Sequence, residues 1–177
     1  MNPFFVEQMA MYASYHRDAR NKATHFVGVP AIAVALLLPM ALVPFFATGF
    51  YVVSLATLFA GAVMIYWIVL DRPIGIASAI LFLPALWFAH WLAGQGAAPV
   101  WIAFGILFVG GWIIQLVGHA FEGRKPALVD NIIQIFIAPV FLMAELFFAL
   151  GLCRDLHRAV EARWPHYAAK APKQAAA

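Results

Sequence analysis

The residues best suited to chemistry are a histidine and a glutamate near the end of a long apolar run, His119 and Glu122. In a helix, residues three apart lie on one face with Cβ atoms roughly 5–6 Å apart. An imidazole and a carboxylate at this spacing can share a metal ion. Such ligands suit Fe, Zn, Mn or Ni, and two histidines with one carboxylate form the facial triad of non-haem Fe(II) sites. The residues alone leave the choice of metal open.

Two more histidines, His16 and His25, flank the other polar block of the chain. Each of them alone is typical of a segment beside a membrane, and His119 with Glu122 could equally be an interfacial helix end. The single cysteine, Cys153, excludes a thiolate cluster and leaves histidine and carboxylate as the plausible ligands. We therefore expect a metal site only if the fold brings these residues to one place.

The composition indicates an integral membrane protein. Apolar residues make up 65% of the 177 residues and charged residues 11%, and the mean hydropathy is +0.88. Globular proteins carry about 25% charged residues. The formal charge of +3 is small and dispersed, which argues against a nucleic-acid partner. The mixed charges of residues 1–24 do not fit a signal peptide.

Apolar periodicity predicts an all-α fold, a polytopic transmembrane helical bundle in one domain covering residues 1–177. Residues 1–24 are predicted to form an amphipathic helix that lies on the membrane or folds over the bundle. Five segments have about the 20 apolar residues that a span requires: 26–47, 50–70, 74–93, 98–119 and 132–152. Residues 47–49 and 94–97 are predicted to be tight turns, and residues 153–177 a polar tail.

Counting one crossing per span predicts that His16, His25 and His119 meet at one membrane surface. Basic residues outside the spans cluster on that side up to residue 131, and the opposite turns contain no Lys or Arg. The positive-inside rule makes this side cytoplasmic. Five full crossings, however, would place the basic tail on the other side. Either the tail tolerates this or segment 132–152 is bent or re-entrant, and we favour the second alternative.

Several other polar residues are candidates for supporting roles. Glu145 lies well inside the last apolar segment, where an ionisable group is costly, and we expect it to support the site from outside the ligand set. Asn21 and Asn131 could orient ligands or simply cap helices. Arg72 could bind a carboxylate through its planar fork, although pairing with Asp71 or phospholipid is the alternative. His90, in an expected aromatic belt, and the tail residues His157 and His166 are excluded from the site.

Two blocks of the sequence together resemble the 2-hydroxy fatty acid dioxygenase family, over about residues 4–155. One block runs from His16-Arg17-Asp18-Ala19-Arg20-Asn21 to His25 and Gly28-Val29-Pro30. The other contains Gly118-His119-Ala120-Phe121-Glu122, Pro126-Ala127, Asn131, Ala138-Pro139, Phe141 and Glu145. The resemblance implies an Fe(II)-dependent enzyme in which His16, His25 and His119 are essential. The assignment of Glu122 as a further ligand and catalytic residue rests on its spacing from His119.

The resemblance also implies the reaction, which converts a 2-hydroxy fatty acid and O2 to the fatty acid one carbon shorter and CO2. The partners are then the 2-hydroxy fatty acid, O2 and membrane lipid, and the oligomeric state is left open. Arg72 is our choice for binding the substrate carboxylate, because it lies at a short joint between two spans that Pro73 stiffens. The expected location is the bacterial inner membrane, or the endoplasmic reticulum in a eukaryote, with the site facing the cytoplasm. The alternatives are a non-catalytic membrane lipid-binding or scaffold protein and a bis-histidine cytochrome, although haem ligation favours histidines within the spans.

Overall fold

The computed structural model describes residues 1–48 and 52–170. These residues form seven α-helices, a short 3-10 turn at Ala127–Val129 and one antiparallel pair of strands. The helices are α1 (Pro3–Ser14), α2 (Ala19–Ala41), α3 (Leu55–Leu70), α4 (Arg72–Ala93), α5 (Ala97–Glu122), α6 (Gln134–Ala149) and α7 (Arg154–Lys170), and the strands are β1 (Pro44–Ala47) and β2 (Val52–Ser54). The described residues are therefore mostly helical, as predicted, and they include one strand pair that the sequence did not predict.

The described chain divides into two compact units. The terminal unit contains residues 1–26 and 114–177, and the central unit contains residues 27–113. Helices α2 and α5 contribute residues to both units, so neither boundary coincides with a loop. The expectation of a single domain stays a prediction.

The N-terminal helix of the terminal unit is shorter than expected. Helix α1 ends at Ser14 and α2 begins at Ala19, whereas the sequence predicted one helix over residues 1–24. The break has a local cause, because the Asp18 carboxylate accepts a hydrogen bond from the Arg20 backbone N–H at 2.8 Å, as residues that begin helices do. Helix α1 buries Phe5 and Met9 completely and packs against α6 and α7.

A sharp bend separates α6 from α7. The two helices meet at 116°, and Gly151 has a positive φ of 73°. The Gly151 N–H bonds the Phe148 carbonyl at 3.0 Å and the Leu152 N–H bonds the Phe147 carbonyl at 2.8 Å, which is the Schellman pattern of a glycine-terminated helix. The predicted span 132–152 is therefore a helix of 16 residues followed by a turn.

The predicted polar tail is largely helical. Helix α7 covers Arg154–Lys170 and packs on α1. Arg163 and the Tyr167 hydroxyl both contact the carboxylate of Glu7, at 2.7 and 2.6 Å. The C-terminal helix is thereby attached to the N-terminal one, and residues 171–177 of the predicted tail lie outside the described residues.

In the central unit the predicted span 50–70 is too long. Helix α3 has 16 residues and begins at Leu55, where Ser54 caps it by accepting a hydrogen bond from the Thr57 N–H. The end of the predicted span 26–47 is also wrong, because α2 stops at Ala41 and residues 44–47 form β1. Of the predicted turn at 47–49, Gly49 lies outside the described residues, as do residues 50 and 51.

Three of the described helices are long and apolar enough to cross a membrane: α2, α4 and α5. Helices α4 and α5 leave large aliphatic side chains uncovered, among them Ile80, Leu81, Ile102, Ile106 and Ile113. Continuous apolar surface of this kind is typical of a helix that faces lipid. By length and composition, the candidate membrane-spanning segments in the described chain therefore number three, or four if the bent pair α6–α7 counts as one.

Candidate metal centre

Three buried histidines meet within the terminal unit. His16 lies in the turn between α1 and α2, His25 in the second turn of α2, and His119 near the end of α5, and each is at most 5% exposed. One ring nitrogen from each lies within 4.8 Å of the others. The ring centroids are 4.4, 4.9 and 5.1 Å apart. These separations are short enough for one ion to contact all three rings.

Backbone carbonyls determine the tautomer of two of the rings. The Nδ1 of His16 donates to the Tyr12 carbonyl at 2.7 Å, and the Nδ1 of His25 donates to the Asn21 carbonyl at 2.9 Å. A carbonyl can only accept, so both rings carry their proton on Nδ1. The Nε2 atom of each neutral ring is left with a lone pair, and these two Nε2 atoms face each other at 3.1 Å.

Two opposed lone pairs at this distance repel unless a cation lies beside them, and their spacing fits a metal ion. An ion with imidazole bonds of about 2.1 Å would meet nitrogens 3.1 Å apart at an angle of about 95°, between octahedral and tetrahedral values. The Nδ1 of His119 is also buried, and it has no hydrogen-bond partner among the described residues. A buried polar atom without a partner indicates a missing ligand or ion. The three side chains therefore fit a bound divalent metal.

The surroundings of His16 keep its ring neutral, which is the form that binds metal. Burial lowers the pKa of His16 well below its ordinary value of 6.5, and the neighbouring His25, His119 and Lys22 lower it further. The ring is therefore neutral at physiological pH and does not have to lose a proton to bind metal.

Tyr12 supports His16 in two ways that the sequence did not indicate. Its ring stacks on the His16 ring at 4.0 Å with an interplanar angle of 7°, in addition to the carbonyl contact. The tyrosine lies four residues before the histidine, and the His16 N–H bonds the Ala13 carbonyl at 3.1 Å, so the turn after α1 keeps both side chains on one face. That spacing is the signal from which this support could have been recognised.

Glu122 lies outside the three-histidine group and holds the turn that carries His16. One carboxylate oxygen accepts the Arg17 backbone N–H at 3.0 Å, and the other accepts the Asp18 backbone N–H at 2.8 Å. The second oxygen also accepts the Asn21 side-chain amide at 3.1 Å. Glu122 thus connects the end of α5 to the start of α2. Its assignment as a ligand stays a prediction.

Asn21 is buried completely, and its expected role in orienting a ligand stays a prediction. Its carbonyl accepts from His25, while its side-chain amide donates to the Tyr15 carbonyl at 3.0 Å as well as to Glu122. Space for this arrangement depends on Gly118, because a Cβ there would lie 2.6 Å from Asn21 Oδ1 and 2.0 Å from Thr24 Oγ1. The glycine lets α5 approach α2 closely enough for the histidines to meet.

Glu145 and Asn131 contact other elements of the terminal unit. Glu145 forms an ion pair with Lys22 at 2.7 Å, which ties α6 to α2. No signal in the sequence distinguishes Lys22 from the other basic residues near it. The Asn131 amide donates to the Gln8 side chain at 3.1 Å and its oxygen accepts the Ile133 N–H, so it joins α1 to the start of α6. Their supporting roles in catalysis stay predictions.

Two residues of the sequence analysis belong to the central unit. Arg72 is the exposed first residue of α4, and its role in binding substrate stays a prediction. His90 is not merely part of an aromatic belt, because its Nε2 accepts a hydrogen bond from the Ser54 hydroxyl at 2.8 Å and its Nδ1 donates to the Leu86 carbonyl at 3.0 Å. These contacts join the end of α4 to the cap of α3.

Comparison with known proteins agrees with the resemblance seen in the sequence. The chain matches the Mpo1-like family, described as 2-hydroxy-palmitic acid dioxygenase Mpo1-like, over residues 3–150. It is 31% identical over 156 residues to the 2-hydroxy-palmitic acid dioxygenase MPO1 of Saccharomyces cerevisiae, covering 87% of this chain and 86% of that protein. No solved structure matches the chain. The chain belongs to the Mpo1-like family.

Proposed function

We propose that this protein is an Fe(II)-dependent dioxygenase that oxidatively decarboxylates 2-hydroxy fatty acids to the fatty acid one carbon shorter and CO2. The observation that carries the proposal is the pair of opposed imidazole nitrogens of His16 and His25, 3.1 Å apart and joined by a third buried histidine. Family membership alone supports the reaction class, and this arrangement supports a metal at its centre.

The proposed ligands are His16, His25 and His119. When bound, Fe(II) would supply electrons and open coordination positions for O2 and for the hydroxyl and carboxylate oxygens of the substrate. The carbonyls of Tyr12 and Asn21 hold the first two rings with their lone pairs directed inward. Three neutral ligands leave the site with the full positive charge of the ion, which favours an anionic substrate.

The stoichiometry requires no further cofactor. Conversion of R–CH(OH)–COOH to R–COOH and CO2 removes four electrons, and full reduction of O2 consumes four. The balanced reaction takes up one O2 and releases one water, so 2-oxoglutarate, flavin and NADPH are not needed.

The fatty-acyl substrate and the exposed apolar helices support a location in a membrane, with the site on the cytoplasmic side. Helix α7 packs on α1, so its basic residues Arg154, Arg158 and Arg163 accompany the N-terminal helix. This contact supports the alternative in which the tail returns to the N-terminal side and the positive-inside rule holds throughout. Lys173 lies outside the described residues.

The decisive experiment loads the purified full chain with Fe(II) under anaerobic conditions and then adds 2-hydroxypalmitate and O2. Mass spectrometry should detect pentadecanoic acid, and metal analysis should find iron that the His119→Ala variant does not retain. A protein that holds no iron and forms no product would instead support the lipid-binding or scaffold alternative. Binding of the redox-inactive Zn(II) tests the ligands independently of turnover, because a ligand that binds only the folded state raises the Tm.

A further inference from the structure

The end of α5 ties the backbone of Arg124 to the helix end that carries His119. Gly123 has a positive φ of 67°. The Gly123 N–H bonds the Ala120 carbonyl and the Arg124 N–H bonds the His119 carbonyl, both at 3.3 Å. This is a Schellman termination, in which the residue after the glycine returns to the carbonyl one turn earlier. The backbone of Arg124 is therefore tied to His119.

The Arg124 side chain crosses to the residues that precede His16. Its guanidinium lies over the Tyr15 ring, 4.2 Å from the centroid, and its Nη1 donates to the Ser14 carbonyl. Both ends of Arg124 thus contact segments that carry a metal-site histidine. The guanidinium cannot move far from the site without breaking these contacts.

One nitrogen of this guanidinium is free to bind something else. Nη2 is buried and has no hydrogen-bond partner among the described residues. A buried donor without a partner is costly, and more so when it belongs to a charged group. A group that supplies an acceptor only when bound would remove this penalty.

The nearby carboxylates are already engaged. Asp130 accepts the Tyr15 hydroxyl on one oxygen and the Lys125 ammonium on the other, the latter at 2.6 Å. Both oxygens of Glu122 accept hydrogen bonds from the start of α2. Among the described residues no carboxylate oxygen forms a hydrogen bond with Nη2, although the charge of Arg124 acts on Asp130.

We propose that Arg124 Nη2 binds the carboxylate of the substrate, a 2-hydroxy acid, beside the three-histidine centre. The inference rests on the proposed function, since it assumes that the substrate bears a carboxylate next to its reacting carbon. A planar guanidinium nitrogen with two N–H groups is suited to a carboxylate oxygen. Arg124 would then take the role that the sequence analysis gave to Arg72.

The test measures binding without turnover, in the Zn(II)-loaded full chain in vesicles of phosphatidylcholine, which carry no net charge. The ligands are 2-hydroxypalmitate and hexadecane-1,2-diol, which lacks the carboxylate. Arg124→Gln should weaken binding of the acid by about 10- to 150-fold, the range of a hydrogen bond to a charged group. Binding of the diol and of Zn(II) should not change, and Arg124→Lys should recover part of the loss.

The matched control is Arg158→Gln, which removes a charge from an exposed arginine of α7 that pairs with Asp155. It should leave the binding of both ligands unchanged. Unchanged acid binding in Arg124→Gln, or equal losses for acid and diol, would overturn the inference. A loss of acid binding in Arg72→Ala, without a loss in Arg124→Gln, would also overturn the inference. If Arg124→Gln does not hold Zn(II), Arg124→Lys decides, and full acid affinity in that variant would overturn the inference.

Failure of the inference and failure of the proposed function are distinguishable. If the wild-type protein converts 2-hydroxypalmitate but binds the acid and diol equally, the function stands and carboxylate recognition by Arg124 is wrong. If it binds the acid selectively through Arg124 but forms no shortened product with Fe(II) and O2, the binding inference stands and the reaction is wrong.

Discussion

Gly118→Ala is the smallest change that should disrupt the histidine cluster without altering a ligand. The added Cβ would lie 2.0 Å from Thr24 Oγ1, 2.6 Å from Asn21 Oδ1 and 3.2 Å from Thr24 Cβ. Atoms without a bond between them do not approach this closely, so α5 must move away from α2 or the two side chains must turn. Thr24 is held in place by a hydrogen bond to the Asn21 carbonyl at 2.7 Å.

The expected losses of folding free energy and of metal affinity follow from two effects of the added methyl group. Overpacking a well-packed contact costs about 1–3 kcal/mol of folding free energy. Moving α5 away from α2 would also move His119 away from His25, and disturbing the support of a ligand lowers metal affinity about 10- to 100-fold. We therefore expect Gly118→Ala to lower both the Tm and the affinity for metal.

The assay is competition of Zn(II) between the protein and a chelator, with the Tm measured on the same samples. Gly105→Ala is the matched control, because this glycine lies on the same helix and a Cβ there meets nothing within 4 Å. In the double variant Gly118→Ala/Thr24→Ala the closest clash is removed, so part of the affinity should return. Equal metal affinity and Tm in Gly118→Ala and Gly105→Ala would refute the argument that this approach of α5 to α2 builds the site.

Three further predictions address the ligands and their support. His119→Ala should abolish both iron retention and turnover, measured by metal analysis and product assays. His90→Ala affects only the contact between α3 and α4, so it should retain both. Equal losses in the two variants would indicate an effect on folding. Glu122→Ala removes the acceptor of two backbone N–H groups and one of the two acceptors of the Asn21 amide. Zn(II) affinity should therefore fall about 10- to 100-fold in chelator competition. Unchanged affinity would show that the turn carrying His16 keeps its conformation without Glu122. Hydrogen bonds from Lys125 and the Tyr15 hydroxyl lower the pKa of Asp130 below its ordinary value of 3.8. These contacts should therefore stabilise the folded protein fully above pH 3.8, and this stabilisation should be lost as the pH falls through the lowered pKa. Asp130→Asn should reduce this acid sensitivity in urea unfolding curves, and an identical pH profile would contradict the assignment.

The sequence alone determined which residues converge. Apolar segment lengths and the short turns between them predicted that His16, His25 and His119 meet, because a helix crossing a membrane requires a nearly fixed number of residues. The resemblance in the two histidine blocks indicated the family, and the comparisons confirmed it. The prediction of a bent last segment anticipated the turn at Gly151, although the bend lies after the helix rather than within it.

The tertiary structure decided how those histidines are held. The apolar periodicity of a helix indicates which of its faces is buried. It does not specify which hydrogen-bond donor, more than 100 residues away in the chain, a carboxylate will contact. Glu122 is therefore seen to cap the turn before α2, and Glu145 to pair with Lys22, only once α2, α5 and α6 are packed together. The unpartnered nitrogen of Arg124 could not be predicted from the sequence for the same reason, since it is recognised only once the guanidinium is packed on Tyr15 and Ser14.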